Sequence, residues 1–320
     1  MLAGLQASGD PAPMKLVFSL AACLSCVALV GGEDRRPADD KELRFWLENM
    51  IVHHGYSDAE ASEATGMSPA EIEAAVERLE ISRTASRREP GAPLRILPYP
   101  GGRHPRIGFL DGAVDPQRDT KVSVFTPWDP SSYVVVDLPE AIWSNLGLTY
   151  LAHTHIDTIR AEKGSELPKQ EWHRLDGGVL KMERSLPNGI RFGARISPDG
   201  ESAAAMELWI HNGTDSPLTE LRAQVCVMLK GAKGFAAQSA ENKTLRSPFV
   251  ACRSDGGGRW IITAWHPCHR PWQNPPVPCL HSDPSFPDCP PGETVRARGK
   301  LWFYEGDDVV TQFKRFERNK

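Results

Sequence analysis

This chain has no apolar run of the roughly 20 residues that a helix needs to cross a bilayer; its longest, Leu16 to Val30, falls short. It has no block of like charge either, because 37 basic and 41 acidic residues are mixed along 320 positions and leave a net charge of −4. Nucleic-acid binding normally draws on a concentrated basic patch, so polyanions are poor candidates for partners. No Gly-rich phosphate loop follows a strand-like segment and no G-x-S-x-G elbow occurs, which removes the nucleotide-binding and serine-hydrolase patterns. Low-complexity sequence is absent. Cysteine is sparse, with 7 in all, and beyond the first 32 residues none sits in the tight C-x-x-C pairs of structural zinc.

What is present begins with an export signal. Lys15 followed by Leu16 to Val30 has the charged and apolar regions of a secretory signal peptide, which assigns residues 1–32 to targeting. Met14 directly precedes it and reads as the true start. Cleavage near Gly31–Gly32 would release a soluble product, whereas Leu20-Ala21-Ala22-Cys23 also fits a bacterial lipobox and would leave a lipid anchor on Cys23. Either route places the protein in the periplasm or outside the cell. Five cysteines remain, and an oxidising compartment would turn them into two disulfides and one leftover thiol. Cys226 with Cys252 is one expected pair; two of Cys268, Cys279 and Cys289 would close a Pro-rich loop.

Residues 41–82 carry helical periodicity. Leu43, Trp46, Leu47, Met50 and Ile51 form one apolar stripe that ends before Gly55. Ser57 with Glu60, and Ser68 with Pro69 and Glu71, are capping boxes for two further helices, the first stopped by Gly66. On Glu60, Ala61, Ala64, Gly66 and Met67, the segment Tyr56 to Leu79 resembles the helix-turn-helix of sigma-factor-like regulators. That resemblance implies a last helix lying against DNA, yet Glu71, Glu73, Glu77 and Glu80 face only Arg78 there, and acidic charge repels phosphate. A packing bundle, or one that docks a protein partner through Trp46, Met50 or Met67, is the expectation. Residues 83–93 read as a linker.

From residue 94 to 320 the period changes to two. Val122/Val124, Tyr133 to Val136, Leu180/Met182, Ile190 to Ile196, Met206 to Ile210, Val225 to Leu229 and Leu301/Phe303 mark strands, with turn dipeptides such as Asn188-Gly189 and Asn212-Gly213 between them. Only Val309 to Phe316 suggests another helix. Many short strands without βαβ alternation predict a mainly β chain, an antiparallel β-sandwich preceded by a small three-helix bundle. On Leu186 to Gly193, and on Met206 to Cys226, this region is similar to the galactose-mutarotase-like supersandwich. The resemblance implies a carbohydrate-related fold; where mutarotases carry a catalytic histidine, this chain reads Gln224-Val225-Cys226-Val227-Met228, so epimerase activity is not implied.

Two constellations could carry chemistry. His153, His155 and Asp157 alternate on one strand face, close enough for the two histidines to hold one divalent metal ion, with His104, Asp111 or Glu140 as third ligand. Gly147 precedes His153 at the spacing of the first cupin motif, but Glu162 is displaced and no second motif follows. The pair equally fits a polar sheet face without metal. The second constellation is a long segment from Trp265 to Cys289, expected to be irregular and stapled, which offers Trp265, His266, His269, Arg270, Trp272 and His281 as a surface for a carbohydrate or other polar ligand. Two functions therefore stay open: an exported carbohydrate-binding or scaffold protein, or a metal-dependent enzyme acting on a carbohydrate-like substrate through the His-x-His pair.

Overall fold

The computed structural model describes residues 35–84, 88–106, 118–152, 156–159 and 167–318. His153, His155 and Asp111 lie outside them, as does the whole targeting segment. Helix α1 (Asp40–Leu47) starts on Asp39, whose carboxylate accepts the Glu42 N–H, and continues as a π-turn over Glu48–His53. Helices α2 (Asp58–Thr65) and α3 (Pro69–Arg78) begin on the two capping boxes, and α2 ends on Gly66 in the left-handed region. Their apolar faces meet in one small core that includes Leu47, Met50, Ala61 and Ile72.

Among the described residues, fifteen strands, numbered in chain order, make two antiparallel sheets that pack as a sandwich. The first sheet runs β1 (Ile96–Pro98), β2 (Lys121–Phe125), β3 (Tyr133–Ser144), β9 (Arg222–Met228), β14 (Cys279–Pro284) and β13 (Cys268–Gln273), with β4 (Gly147–Leu151) paired to the far half of β3. The second runs β10 (Lys243–Arg246), β11 (Phe249–Arg253), β12 (Arg259–His266), β15 (Thr294–Glu305), β8 (Ala203–His211), β7 (Arg191–Pro198), β6 (Val179–Ser185) and β5 (His173–Leu175). Alternate residues such as Val122, Val124, Val136, Val227 and Leu280 from one sheet, and Phe192, Ile196, Leu208 and Ile261 from the other, fill the space between them. Trp265 belongs to this core and is fully buried over Gly299, where a Cβ would stand 2.5 Å from the indole; only glycine fits beneath it. Helix α4 (Val309–Arg318) lies on the outer face of the second sheet, with Phe313 stacked on Phe249.

The outer face of the first sheet is covered in part by the helical bundle. Asn49 donates to the Pro98 carbonyl at 2.9 Å, Tyr56 donates to Gly101, and Arg103 grips Glu60 at 2.6 Å. Gly102, at φ +69°, lets the backbone pass so close to α2 that a Cβ would meet the Glu60 carbonyl oxygen at 2.4 Å. His54 is the pivot. Its Nδ1 lies 2.8 Å from the Asn49 carbonyl, which can only accept, so Nδ1 carries the proton and Nε2 accepts from the Ser123 hydroxyl at 2.7 Å. The π-turn makes this possible by presenting the Asn49 carbonyl to the residue five positions on. Trp46, Met50 and Met67 are all buried within this chain.

Two expectations need correction here. The segment from Trp265 to Cys289 is not a stapled loop: it contains the end of β12 and all of β13 and β14, and passes from the second sheet to the first at His266–Pro267. No disulfide is formed by Cys226, Cys252, Cys268, Cys279 or Cys289. Cys252 points into the inter-sheet core whereas Cys226 points to the opposite, outer side of the other sheet, so the expected pair is held apart by a layer of the sandwich.

Candidate functional site

The unusual chemistry of the chain collects on the outer face of the first sheet. Strand pairing sets it there: Asp137 lies opposite Cys226, Cys226 opposite His281, and His281 opposite Trp272, so four neighbouring strands β3, β9, β14 and β13 present one row. Cys279 and Asp283, two residues either side of His281, share its face. Between Asp137 and Ala141, β3 carries an irregularity in register against β9, and the extra residues re-aim the chain so that Glu140 joins the same cluster.

Nearly every member is buried and paired. Glu140 accepts from Arg106 and, at 2.7 Å, from the Gln224 amide. Asp283 accepts from the Trp272 indole at 2.6 Å, from Arg270 at 3.2 Å and from the Val225 N–H at 3.3 Å. Burial pushes its pKa up against those donors and His281. The His281 imidazole stacks on Trp272 with ring centres 3.8 Å apart, and its Nε2 stands 3.2 Å from Cys279 Sγ. Burial opposes its protonation, but the Cys226 sulfur and the Glu140 and Asp283 carboxylates outweigh that and hold its pKa above the ordinary imidazole value. A hydrogen bond from Cys226 lowers the pKa of the Cys279 thiol, while burial drives that of Cys226 well up. Of the two thiols, Cys279 is therefore the more readily ionised.

A cleft of about 340 Å³ opens beside this row, lined by Trp143, Arg222, His269, Arg270 and Asp283. Arg222 lies over the Trp143 ring at 5.5 Å and Arg270 over Trp272 at 5.1 Å. Among the described residues Arg222 has no carboxylate partner.

The six residues expected to form one ligand surface are thus divided. Arg270, Trp272 and His281 meet in the buried row, and His269 joins Arg270 at the cleft. Trp265 is core, and His266 lines a separate, larger cleft of about 1130 Å³ on the second sheet with Trp128, Trp302 and Arg298. Of the expected metal set, Asp157 is exposed, Glu140 is held by Arg106 and Gln224, and His104 lies near Arg103, Tyr133 and Lys230 at a small cleft by the bundle. Residues missed from sequence are Cys226 and Cys279 as partners of His281, and Trp143 and Arg222. The alternation Cys279, His281, Asp283 is visible in the sequence, but its pairing with Cys226, more than 50 positions away, is not.

No protein-family profile and no curated protein matches the chain. Among solved structures it is similar to the Slr1438 protein of Synechocystis sp. PCC 6803, with 10% identity over 58% of this chain and 88% of that one, at a TM-score of 0.33. A putative kojibiose phosphorylase from the human microbiome aligns with 7% identity over 44% of this chain and 20% of that one, at 0.29. A heparan sulfate lyase HepC mutant from Pedobacter heparinus aligns with 7% identity over 84% of this chain and 42% of that one, at 0.34. The chain thus spans under half the length of the last two.

Proposed function

We propose that this is an exported protein that binds a carbohydrate-like ligand carrying an anionic group, at the cleft between Trp143 and Arg270. The observation that carries this is the combination of an aromatic face with a guanidinium that has no counter-ion: Arg222 lies over Trp143, donates to the Glu220 carbonyl at 3.2 Å and has no carboxylate partner among the described residues. Aromatic faces stack on sugar rings, and a guanidinium takes a carboxylate or sulfate through two parallel hydrogen bonds. Asp283 anchors Arg270 and Trp272 from below, which fixes one wall before any ligand arrives.

Titration calorimetry with uronate-containing and neutral oligosaccharides is the test. Acidic sugars are expected to bind, Trp143→Ala to weaken them by about tenfold or more, the equivalent of about 1.4 kcal/mol, and Arg222→Ala to weaken them while flattening the salt dependence. Equal affinity of wild type and the double variant for every sugar would dismiss the cleft. Export rests on the Lys15 to Val30 segment. N-terminal sequencing of the protein from a bacterial periplasm should give a chain that starts near Gly32, or one lipidated on Cys23; an intact Met1 or Met14 terminus in that fraction would count against it.

A further inference from the structure

A second feature of the same sheet stands independently of the sugar cleft. Cys226, Cys279 and His281 each offer a ligand atom, all three atoms lie within 4.8 Å of one another, and all three residues are buried. We propose that these three side chains hold a thiophilic metal ion, zinc(II), on the outer face of the first sheet.

Geometry comes first. Cys226 and His281 are direct cross-strand neighbours and Cys279 lies two residues along β14 on the same side, so the three donors converge from one rigid ladder rather than from loops. Ligands of one tetrahedral zinc ion stand roughly 3.5 Å apart, given metal–ligand bonds of about 2.0 to 2.3 Å. Cys279 Sγ and His281 Nε2 are already 3.2 Å apart. The Trp272 ring, stacked on the imidazole, fixes its plane, as supporting groups around a metal ligand commonly do.

The donor chemistry narrows the ion. The nearby carboxylates are engaged, Glu140 by Arg106 and Gln224, Asp283 by Arg270, Trp272 and the Val225 N–H, and Asp137, opposite Cys226, by Lys121 and the Thr120 hydroxyl. That leaves two sulfurs and one imidazole nitrogen, a set that suits zinc and excludes the oxygen-seeking calcium and magnesium. Two thiolates also neutralise the charge of zinc(II), so the loaded site can stay buried without a further counter-ion. On binding, Cys226 and Cys279 coordinate as thiolates and His281 as the neutral ring, and every proton these three groups held passes to solvent.

Hydrogen bonding alone is a poor reason for the cluster. Thiols are weak donors and acceptors, so they compensate little for burying an imidazole. Among the described residues His281 Nδ1 has no hydrogen-bond partner at all. Three protein ligands also leave one tetrahedral position for water or a small anion.

Cobalt(II) titration of the reduced full-length chain reads the site directly. One equivalent should produce the thiolate-to-cobalt charge-transfer band and the strong visible bands of tetrahedral cobalt, and zinc should erase them. Cys226→Ser and Cys279→Ser should each abolish the bands, and Cys252→Ser should keep them. Should the serine variants fail to fold, zinc protection of the wild type supplies the answer: alkylation of Cys226 and Cys279 should slow at least tenfold with zinc, while that of Cys268 stays unchanged. Absence of thiolate–cobalt bands in fully reduced wild type, bands that survive both serine substitutions, or no protection of the two thiols would each overturn the site. Sugar affinity measured with chelator present separates this outcome from that of the cleft.

Discussion

Asp137→Ala is expected to cost the fold about 3 to 5 kcal/mol, the loss typical of stripping one partner from a buried ion pair. Asp137 and Lys121 face each other across β3 and β2 with Nζ and Oδ2 3.0 Å apart, both side chains wholly out of water. The Thr120 hydroxyl donates to the other carboxylate oxygen. Removing the carboxylate leaves the buried Lys121 ammonium without this partner, so the penalty is the desolvation of Lys121 rather than one lost contact. The pair itself is a different matter: Lys121→Met with Asp137→Leu should recover most of the loss, because apolar side chains of similar volume are tolerated there. As a scale, Arg44→Ala breaks an exposed pair with Glu48 and should cost only about 0.3 to 0.5 kcal/mol. Urea melts of the four proteins decide it. A loss for Asp137→Ala no larger than for Arg44→Ala would mean that Lys121 finds water on that face.

Acid should loosen the bundle through His54. Burial among Tyr56, Tyr99, Phe125 and Tyr133 pushes its pKa down to about 3, outweighing the hydrogen bond to Asn49, from an ordinary value of 6.5. Between those two values the unfolded chain binds a proton that the folded chain refuses, so stability rises with pH across the window and is lost on acidification from 6.5 downward. At pH 4.5 the loss from this one residue is roughly 2 to 3 kcal/mol, at about 1.4 kcal/mol for each pH unit. His53, lowered to about 4 by burial and by Arg95, acts in the same direction over a shorter window. Glu60, lowered to about 2 chiefly by its hydrogen bond with Arg103, contributes its stability in full above pH 4.5 and loses it only below, so it leaves the slope between pH 6.5 and 4.5 unchanged. His54→Phe keeps the aromatic packing and removes the proton, so it should be less stable at pH 7.5 by about 1 to 2 kcal/mol for the lost hydrogen bonds. Between pH 6.5 and 4.5 its stability should fall less steeply than that of wild type. Thermal melts at both pH values with parallel slopes would show that His54 is not the group responsible.

Where periodicity was legible, one side of each element faced water or a simple core. Helix starts at Asp39, Ser57 and Ser68 follow from local capping chemistry, which needs no knowledge of the rest of the chain. Strands such as β6 and β8 alternate apolar and polar because one face is solvated. The region from Phe249 to Pro284 hid its strands for the opposite reason. β12 is covered on one face by the sandwich core and on the other by α4, and all of β14 is buried although three of its residues are His281, Ser282 and Asp283. Burial on both faces removes the period-two signal. Polar residues that are satisfied inside then read as a loop.

The sequence by itself determined that this is a mainly β, antiparallel sandwich with capped helices in front of it, because capping, turn dipeptides and alternation act over a few residues and survive without tertiary context. Only the tertiary structure decided the site. Cys226, Cys279, His281 and Asp137 come together through strand order β3, β9, β14 and β13, in which paired residues such as Asp137 and Cys226 lie 89 positions apart, and Trp265 and Trp272 end on different sheets because the chain changes sheets between them. Side chains seven residues apart would face opposite ways even on one continuous strand; the crossing at His266–Pro267 adds a change of sheet, so one ring lies in the core beneath the second sheet and the other over a buried imidazole on the first. Which face a residue joins is set by long-range register, and no local property of the chain encodes it.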